Sequence, residues 1–449
     1  MSIYRAYDIR GVYGKDLTDA EAEKIGKAYA TYAGGGDIAV GRDCRLSSPS
    51  LRNALVKGLV SAGCTVTDVG MVPTPLLYYA IQHYKKDGGI MITGSHNAPQ
   101  YNGFKLCKGA ETLFGEQIQE VRKIAQSGKY RTGKGRVIEK NVVEDYVKYV
   151  KERTTVHKKL RVVVDGGNGV GGLIGSRLLK EIGCEVVELY CEPDGRFPNH
   201  FPDPTVDANV LDLISAVKKE KADLGISFDG DADRLGIVDD KGGIVRGDQS
   251  LILFSREILK EMKGATVIFE VKCSQALVED IKEHGGVPLM YRTGHSYIKK
   301  KMKETNAPLA GEMSGHFFFA DRYYGYDDGI YSGLRMAQLL SEKDEKLSDI
   351  MAKLPKYYST PEIRIHAPED KKFLIVKEVT EEFQKQKYDV VTVDGARVEF
   401  GDGWGLVRAS NTEPALILRF EAKTPERLEA IENTVKEKLA KYPELEKEL

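Results

Sequence analysis

Short apolar runs alternate with amphipathic stretches along most of the chain, and the alternation repeats three times. "DIAVGRD", "LRVVVDGG" and "ATVIFEVK" each predict a buried strand. A helical stretch follows each one and stops at a glycine: Gly63 in "SAG", Gly183 in "EIG", Gly285 in "EHG". Glycine just past the last helical residue is what a left-handed C-cap calls for. Each unit continues with a second strand ("CTVTDVGM", "CEVVELY", "GVPLMY"), a second helix ("PLLYYAIQHY", "VLDLISAVKKE", "SYIKKKMKE") and a third strand. The third strands end in "MITGSHN", "GISFDGDAD" and "LAGEMSGH". This is β-α-β-α-β three times, which predicts α/β sheets with helices packed on them.

Past about Pro355 the pattern changes. "VVTVDGARVEF" predicts a hairpin turning at Asp394-Gly395, "ALILRFEAK" a strand, and "TPERLEAIENTVKEKLAKY" a helix capped by Thr424 with Pro425 in its first turn. The expected architecture is three similar α/β/α domains with mixed sheets, over residues 1–145, 146–245 and 246–358, plus a smaller α+β domain over 359–449. Open α/β sheets bind ligands at the carboxyl ends of their strands. The three matched polar loops are therefore expected to meet in one central cleft.

Composition narrows the class of ligand. Apolar residues make up 41% of the 449, charged ones 30%, and the net charge is −1 with both signs interspersed. No overall field attracts nucleic acid or an anionic membrane, so an anionic ligand must be met by local groups. "MSIYRAYDIRG" carries charge where a signal peptide needs an apolar stretch, and no run approaches the ~20 apolar residues of a membrane span. A cytoplasmic protein is expected. Cys44, Cys64, Cys107, Cys184, Cys191 and Cys273 are scattered without CxxC spacing, which points to reduced thiols and not to disulfides or zinc ligands. Monomer and homo-oligomer are equally compatible with these features.

The loops carry the chemistry. "FDGDADR" crowds Asp229, Asp231 and Asp233 at alternate positions, and carboxylates this close resist ionising unless a cation neutralises them. An EF-hand is excluded, because position 6 counted from Asp229 is Arg234 and position 12 is Asp240, where glycine and glutamate are required. Three carboxylates after a strand suit magnesium beside a phosphate. "ITGSHNAPQYNGFK" offers Ser95, His96 and Lys105: a hydroxyl able to carry a phosphoryl group, beside groups able to move a proton. Gly167, Gly169 and Gly172 in "DGGNGVGG" satisfy GxGxxG, with Glu188 downstream, but their counterparts in the other repeats lack the pattern. Tight backbone turning is the better reading there. "TGHS" and "GEMSGH" supply His295, Glu312, Ser314 and His316, donors and acceptors suited to sugar hydroxyls. "RASNTEP" gathers Arg408, Ser410, Asn411 and Thr412, which could cradle a phosphate.

Taken together, "YRAYDIRG", "GRDCRLSS", "TGSHNAPQYNGFK", "DGDADR", "KCS", "TGH", "GEMSGH" and "RASNTEP" make the chain resemble the α-D-phosphohexomutases, most closely the phosphomannomutase/phosphoglucomutase branch, over almost its whole length. The resemblance implies interconversion of hexose 1-phosphate and hexose 6-phosphate through a phosphoserine at Ser95 and a bound hexose 1,6-bisphosphate that turns around in place. It implies Mg2+ on Asp229, Asp231, Asp233 and the serine phosphate. Lys105 and His316 fall on acid/base positions and Arg234 on a cationic contact beside the metal. Tyr7, Arg10, His96, Lys272, Thr293, Gly294 and His295 fall around the cleft, Glu312 and Ser314 on the sugar grip, and Arg408, Ser410, Asn411 and Thr412 on the clamp for the other phosphate.

One departure stands out: the family's usual "TASHNP" is "TGSHNA" here, with Gly94 and Ala98, which predicts a looser loop partly stiffened by Pro99. Phosphoglucosamine mutase, a phosphatase and a phosphosugar-binding protein without turnover are the rival readings. "YNGFK" and "GEMSGH" favour the manno/gluco branch, and retention of Ser95 with all three aspartates argues against a mere binder.

Overall fold

A computed structural model describes residues 2–410 and 413–445. Its first three sheets share one strand order. In each, the first strand of the sequence repeat (Asp37–Arg42, Arg161–Asp165, Thr266–Glu270) lies at the centre. It pairs in parallel with the second strand (Thr65–Met71, Glu185–Leu189, Val287–Tyr291) and the third (Gly88–Ile92, Leu224–Phe228, Leu309–Gly311). The third strand then hairpins into an antiparallel fourth: Tyr101–Lys108, Leu235–Asp239 or Phe317–Phe319. The order second–first–third–fourth recurs three times, and the antiparallel member makes every sheet mixed. That fourth strand is absent from the sequence reading, which ended each repeat at the polar loop. Lys105 accordingly stands on a strand and not in a loop.

The predicted caps hold. The helices Ser48–Ser61, Gly172–Glu181 and Gln275–Glu283 each run into a glycine at positive φ, Gly63 (+85°), Gly183 (+106°) and Gly285 (+79°). A side chain there would sit in the strained left-handed region. Each of these exits feeds directly into its unit's second strand, which begins at Thr65, Glu185 or Val287.

Core strands are fully buried, as in "GGIMI" at 88–92 and "LGISF" at 224–228. Burying each large aliphatic side chain is worth roughly 1.5–3 kcal/mol, which anchors the strand ends that carry the loops. The last unit has its own core around Ile365, Val379, Leu418 and Val435. Its antiparallel sheet includes the expected hairpin, Asp389–Val391 with Ala396–Glu399, and the strand Ala415–Ala422. Thr424 caps the helix Pro425–Leu439 by accepting from Arg427 N at 3.3 Å. A central strand, Gly403–Ala409, and a helix, Lys372–Lys385, complete it.

This unit is bolted to its neighbour through its sole tryptophan. Arg397 stacks 4.0 Å over the buried Trp404 ring and donates to the carbonyls of Val271 (2.9 Å) and Cys273 (2.7 Å). Arg419 donates to the Lys272 carbonyl at 2.6 Å. The "KCS" loop is thereby held between the third and fourth units. All six cysteines are free, and no helix of the described residues is long and apolar enough to cross a membrane.

Candidate active site

Ser95 lies just past the third strand of the first unit with φ +48°, a conformation that costs a non-glycine residue about 1–2 kcal/mol. What holds it is Arg45. This guanidinium is fully buried and donates to the carbonyls of Ser95 (2.7 Å), Asn97 (2.5 Å), Ala98 (2.7 Å) and Tyr101 (3.0 Å). A Cβ on Gly94 would fall 2.3 Å from Arg45 Nε. Gly94 is therefore the space through which the arginine passes, and the expected looser loop is instead a loop tied to its backing at four carbonyls. Arg10 adds a bond from Nη1 to Gly94 O at 2.5 Å and others to Asn97 and Asp8. Ser95 Oγ donates to Asp229 Oδ2 at 2.8 Å and lies 3.0 Å from His96 Nδ1.

The acidic loop sits directly beneath. Asp229, Asp231 and Asp233 are fully buried, with ligand atoms all within 4.8 Å of one another. Lys105 Nζ reaches Asp231 Oδ2 at 2.7 Å and also binds Asp233 Oδ2, while Thr74 Oγ1 donates to Asp231 Oδ2 at 2.5 Å. Arg234 Nε stands 4.0 Å from Asp229. Two cations thus face three carboxylates, and burial together with Asp231 and Asp233 pushes the Asp229 carboxyl well above the ordinary range. Burial opposes ionisation of Asp231 too, but Lys105 outweighs it and holds that carboxyl low. Asp231 Oδ1 and Asp233 Oδ1 are buried and have no hydrogen-bond partner. Unsatisfied oxygens at a site with surplus negative charge are what a small divalent cation needs, so these residues fit one.

The glycine-rich stretch is the bed of this loop. Val170 N donates to Gly230 O at 3.1 Å, and a Cβ on Gly169 would lie 2.7 Å from that same oxygen. On its other side, Gly230 packs so closely that a Cβ would fall 2.4 Å from Ser95 O. The GxGxxG glycines serve close stacking of backbone on backbone, in agreement with the turning reading.

The third unit contributes a histidine pair that share one carboxylate. His295 Nδ1 and His316 Nδ1 face Asp327 Oδ2 at 3.3 and 3.2 Å, and Lys299 Nζ holds Asp327 Oδ1 at 2.9 Å. Arg234 Nε donates to His316 Nε2 at 3.1 Å, which makes Nε2 the acceptor and puts the neutral ring's proton on Nδ1, toward Asp327. Burial, then Lys299, lowers His295 to about 4, so it is neutral near pH 7. Glu312 accepts from Gly294 N at 2.6 Å, and burial raises its pKa. Tyr7 Oη donates to Thr293 O at 3.2 Å, tying the first unit to "TGH".

At the opposite end, Arg408 donates from Nε to Asp394 Oδ2 at 3.1 Å, and that oxygen also accepts from Thr293 N at 3.0 Å. Lys272 Nζ pairs with Glu362 at 3.0 Å. Ser410 Oγ accepts from Glu413 N at 3.1 Å; Asn411 and Thr412 lie outside the described residues. Tyr7, Arg10, Ser95, His96, Lys105, Asp233, Arg234, Lys272, Thr293, Gly294, His295, Glu312, Ser314, His316, Arg408 and Ser410 all line one cleft of ≈1120 Å³. Asp229 and Asp231 lie below its floor.

Family models match the chain in four consecutive pieces. They are the phosphoglucomutase/phosphomannomutase alpha/beta/alpha domains I (residues 1–132), II (144–243) and III (246–358), and the C-terminal domain (362–438). The chain belongs to the phosphoglucomutase/phosphomannomutase family. Among relatives, it is 48% identical over 441 residues to the phosphomannomutase/phosphoglucomutase of Pseudomonas aeruginosa, covering 98% of this chain and 95% of that one. It is 46% identical over 450 residues to the phosphoglucomutase of Neisseria gonorrhoeae, with 99% and 98% covered. The crystal structure of a phosphoglucomutase/phosphomannomutase family protein from Burkholderia thailandensis superposes with a TM-score of 0.93 at 43% identity, over 98% of this chain and 97% of that one.

Three groups in this member of the phosphoglucomutase/phosphomannomutase family escape the sequence reading. Asp327 faces the histidine pair, Asp394 holds Arg408, and Glu362 holds Lys272. Asp394 was legible only as half of a hairpin turn, and Asp327 sits in "YDDG" with no local pattern to mark it.

Proposed function

We propose that this protein interconverts hexose 1-phosphate and hexose 6-phosphate, with mannose and glucose as the sugars, through a phosphoserine at Ser95 and a hexose 1,6-bisphosphate that stays bound. The observation that carries the reading is Ser95 Oγ, 2.8 Å from a buried carboxylate cluster with two unpartnered oxygens, on the floor of a cleft whose far end holds Arg408 and Lys272. A phosphoryl carrier at one end and cations at the other suit a sugar with one phosphate in play and one gripped. Asp229, Asp231 and Asp233, with the serine phosphate, would hold Mg2+; when bound it neutralises the carboxylates and stabilises charge on the transferring group.

In the forward half, a sugar hydroxyl oxygen bonds to phosphorus as the bond from phosphorus to Ser95 Oγ breaks and its electron pair stays on Oγ. The hydroxyl proton passes to His316 Nε2, where the substrate displaces Arg234 Nε, and Asp327 stabilises the imidazolium. Lys105, kept protonated because Asp231 and Asp233 outweigh its burial, holds positive charge within the carboxylate cluster that Ser95 Oγ touches. The bisphosphate then turns end for end, and Oγ takes the other phosphoryl group as His316 returns the proton. Glu312 and Ser314 grip hydroxyls common to both sugars, while Arg408, Ser410, Asn411 and Thr412 clamp the idle phosphate. Free thiols, five of them buried, support a reducing, cytoplasmic setting.

A coupled assay on mannose 1-phosphate, glucose 1-phosphate and glucosamine 1-phosphate, with Mg2+ and a trace of bisphosphate, tests the reading. Turnover of the first two is expected. Glucosamine 1-phosphate as the best substrate, or net phosphate release in place of isomerisation, would overturn it.

A further inference from the structure

The three α/β units share a residue that lies outside the cleft lining. At the end of each central strand stands a buried carboxylate: Asp43 after Asp37–Arg42, Asp165 closing Arg161–Asp165, and Glu270 closing Thr266–Glu270. Each first accepts the backbone N–H two residues on, from Arg45 (3.0 Å), Gly167 (2.9 Å) and Lys272 (2.8 Å). Each then reaches across to a segment that follows its unit's second or third strand. Asp43 accepts Gly94 N at 3.0 Å, next to Ser95, and holds Arg45 Nε at 3.1 Å. Glu270 accepts Thr293 Oγ1 at 3.1 Å and Met313 N at 3.2 Å, so one carboxylate sets "KCS", "TGH" and "GEMSG" together. Asp165 meets His200 Nε2 at 3.1 Å, and that strap places Pro202 against Gly230 of the acidic loop.

We propose that Asp43, Asp165 and Glu270 are three copies of one positioning residue, each setting the loop that its own unit lends to the cleft: the serine loop, the acidic loop and the sugar loops. The inference rests on the mutase reading but concerns residues that touch neither sugar nor phosphate. Each carboxylate faces only donors, so an amide in its place turns one N–H against another and displaces that loop alone.

The test is three single variants of the full chain, with rates normalised to the folded fraction. Asp43→Asn lowers kcat by about 10-fold or more with KM within about threefold. Glu270→Gln raises KM for the sugar phosphate by about 10-fold or more with kcat within about threefold. Asp165→Asn raises the Mg2+ concentration for half-activity by about 10-fold, with kcat at saturating Mg2+ within about threefold. A merely structural role predicts lower thermal stability for all three with unchanged constants per folded molecule; that outcome, or one common kinetic defect, overturns the proposal. If an amide variant does not fold, Asp43→Glu and Glu270→Asp keep the charge, change the reach, and must split kcat from KM in the same way. A wild-type chain without mutase activity would refute the functional reading instead.

Discussion

The two ends of the cleft are built differently. At the Ser95 end, groups from separate units fix one another: Lys105 of the first unit lies between Asp231 and Asp233 of the second, and Thr74 of the first donates to Asp231 of the second. The three carboxylates are 0% exposed. At the Arg408 end, each cation has a carboxylate holder of its own, Asp394 for Arg408 and Glu362 for Lys272, and Glu362 is 28% exposed. Bond making needs donors and charges fixed before the reaction, since reorganising them in the transition state is costly. Holding the idle phosphate of a sugar that must also turn around needs strong but replaceable contacts. Cross-unit bonds tie both ends, since Lys272 and Thr293 of the third unit meet Glu362 and Asp394 of the fourth; the difference is that the first end is sealed in the core, whereas at the second a phosphate can take over cations already in place.

Substitutions at the sealed end should strike turnover, and those at the replaceable end should strike binding. Ser95→Ala removes the proposed phosphoryl carrier, and kcat should fall by at least about 1,000-fold. Near-normal steady-state turnover by this variant would erase the distinction. Asp231→Asn should cost about 3–4 kcal/mol of transition-state stabilisation and weaken Mg2+ binding more than sugar binding. Magnesium titration of activity beside sugar-phosphate affinity separates the two, and full activity after exhaustive chelation contradicts it. Arg408→Ala should raise KM for either phosphate isomer by about 30-fold or more, at the low end of what a lost buried charge contact costs. The bisphosphate should also escape more often, so added bisphosphate restores part of the rate.

A smaller effect concerns the sugar. A grip on hydroxyls that mannose and glucose share cannot see C2, where alone they differ, so their kcat/KM values should lie within about 200-fold of each other. Glu312→Ala should impair both alike; a loss confined to one sugar would place specificity elsewhere.

The smallest effect lies beneath the acidic loop. Burial pulls the His200 pKa down, but the hydrogen bond and charge of Asp165 outweigh it and leave it raised above 6.5. A raised folded pKa contributes stability that is fully present below the unfolded value and fades as pH rises through the folded one. The stability lost in His200→Gln should therefore be greatest below about pH 6.5 and shrink on going to alkaline pH. A deficit independent of pH contradicts an ionised pair.

Much of this was legible in the chain because local chemistry marked it. Runs such as "VVVD" and "IFE" announce buried strands, the glycines at 63, 183 and 285 announce helix exits, and alternate aspartates announce a clustered carboxylate site. The fourth strand of each repeat was not legible: in "YNGFKLCK" the polar residues that serve the cleft hide the strand pattern, because Asn102 and Lys105 are buried by partners from other segments. Asp327 is silent for the same reason. Its partners His295, Lys299 and His316 meet it only through the fold. Gly94 was legible as a departure but pointed the wrong way, since Arg45, which fills its missing Cβ, is 49 residues earlier.

The central claim is that the phosphoryl group passes through Ser95. Incubating the wild-type protein with Mg2+ and a hexose 1-phosphate labelled in its phosphate, then mapping the label by peptide mass spectrometry, tests it most directly. Label on the peptide containing Ser95, lost again on adding unlabelled substrate, is the predicted result. Label on another residue, or steady mutase turnover with none on the protein, would contradict it.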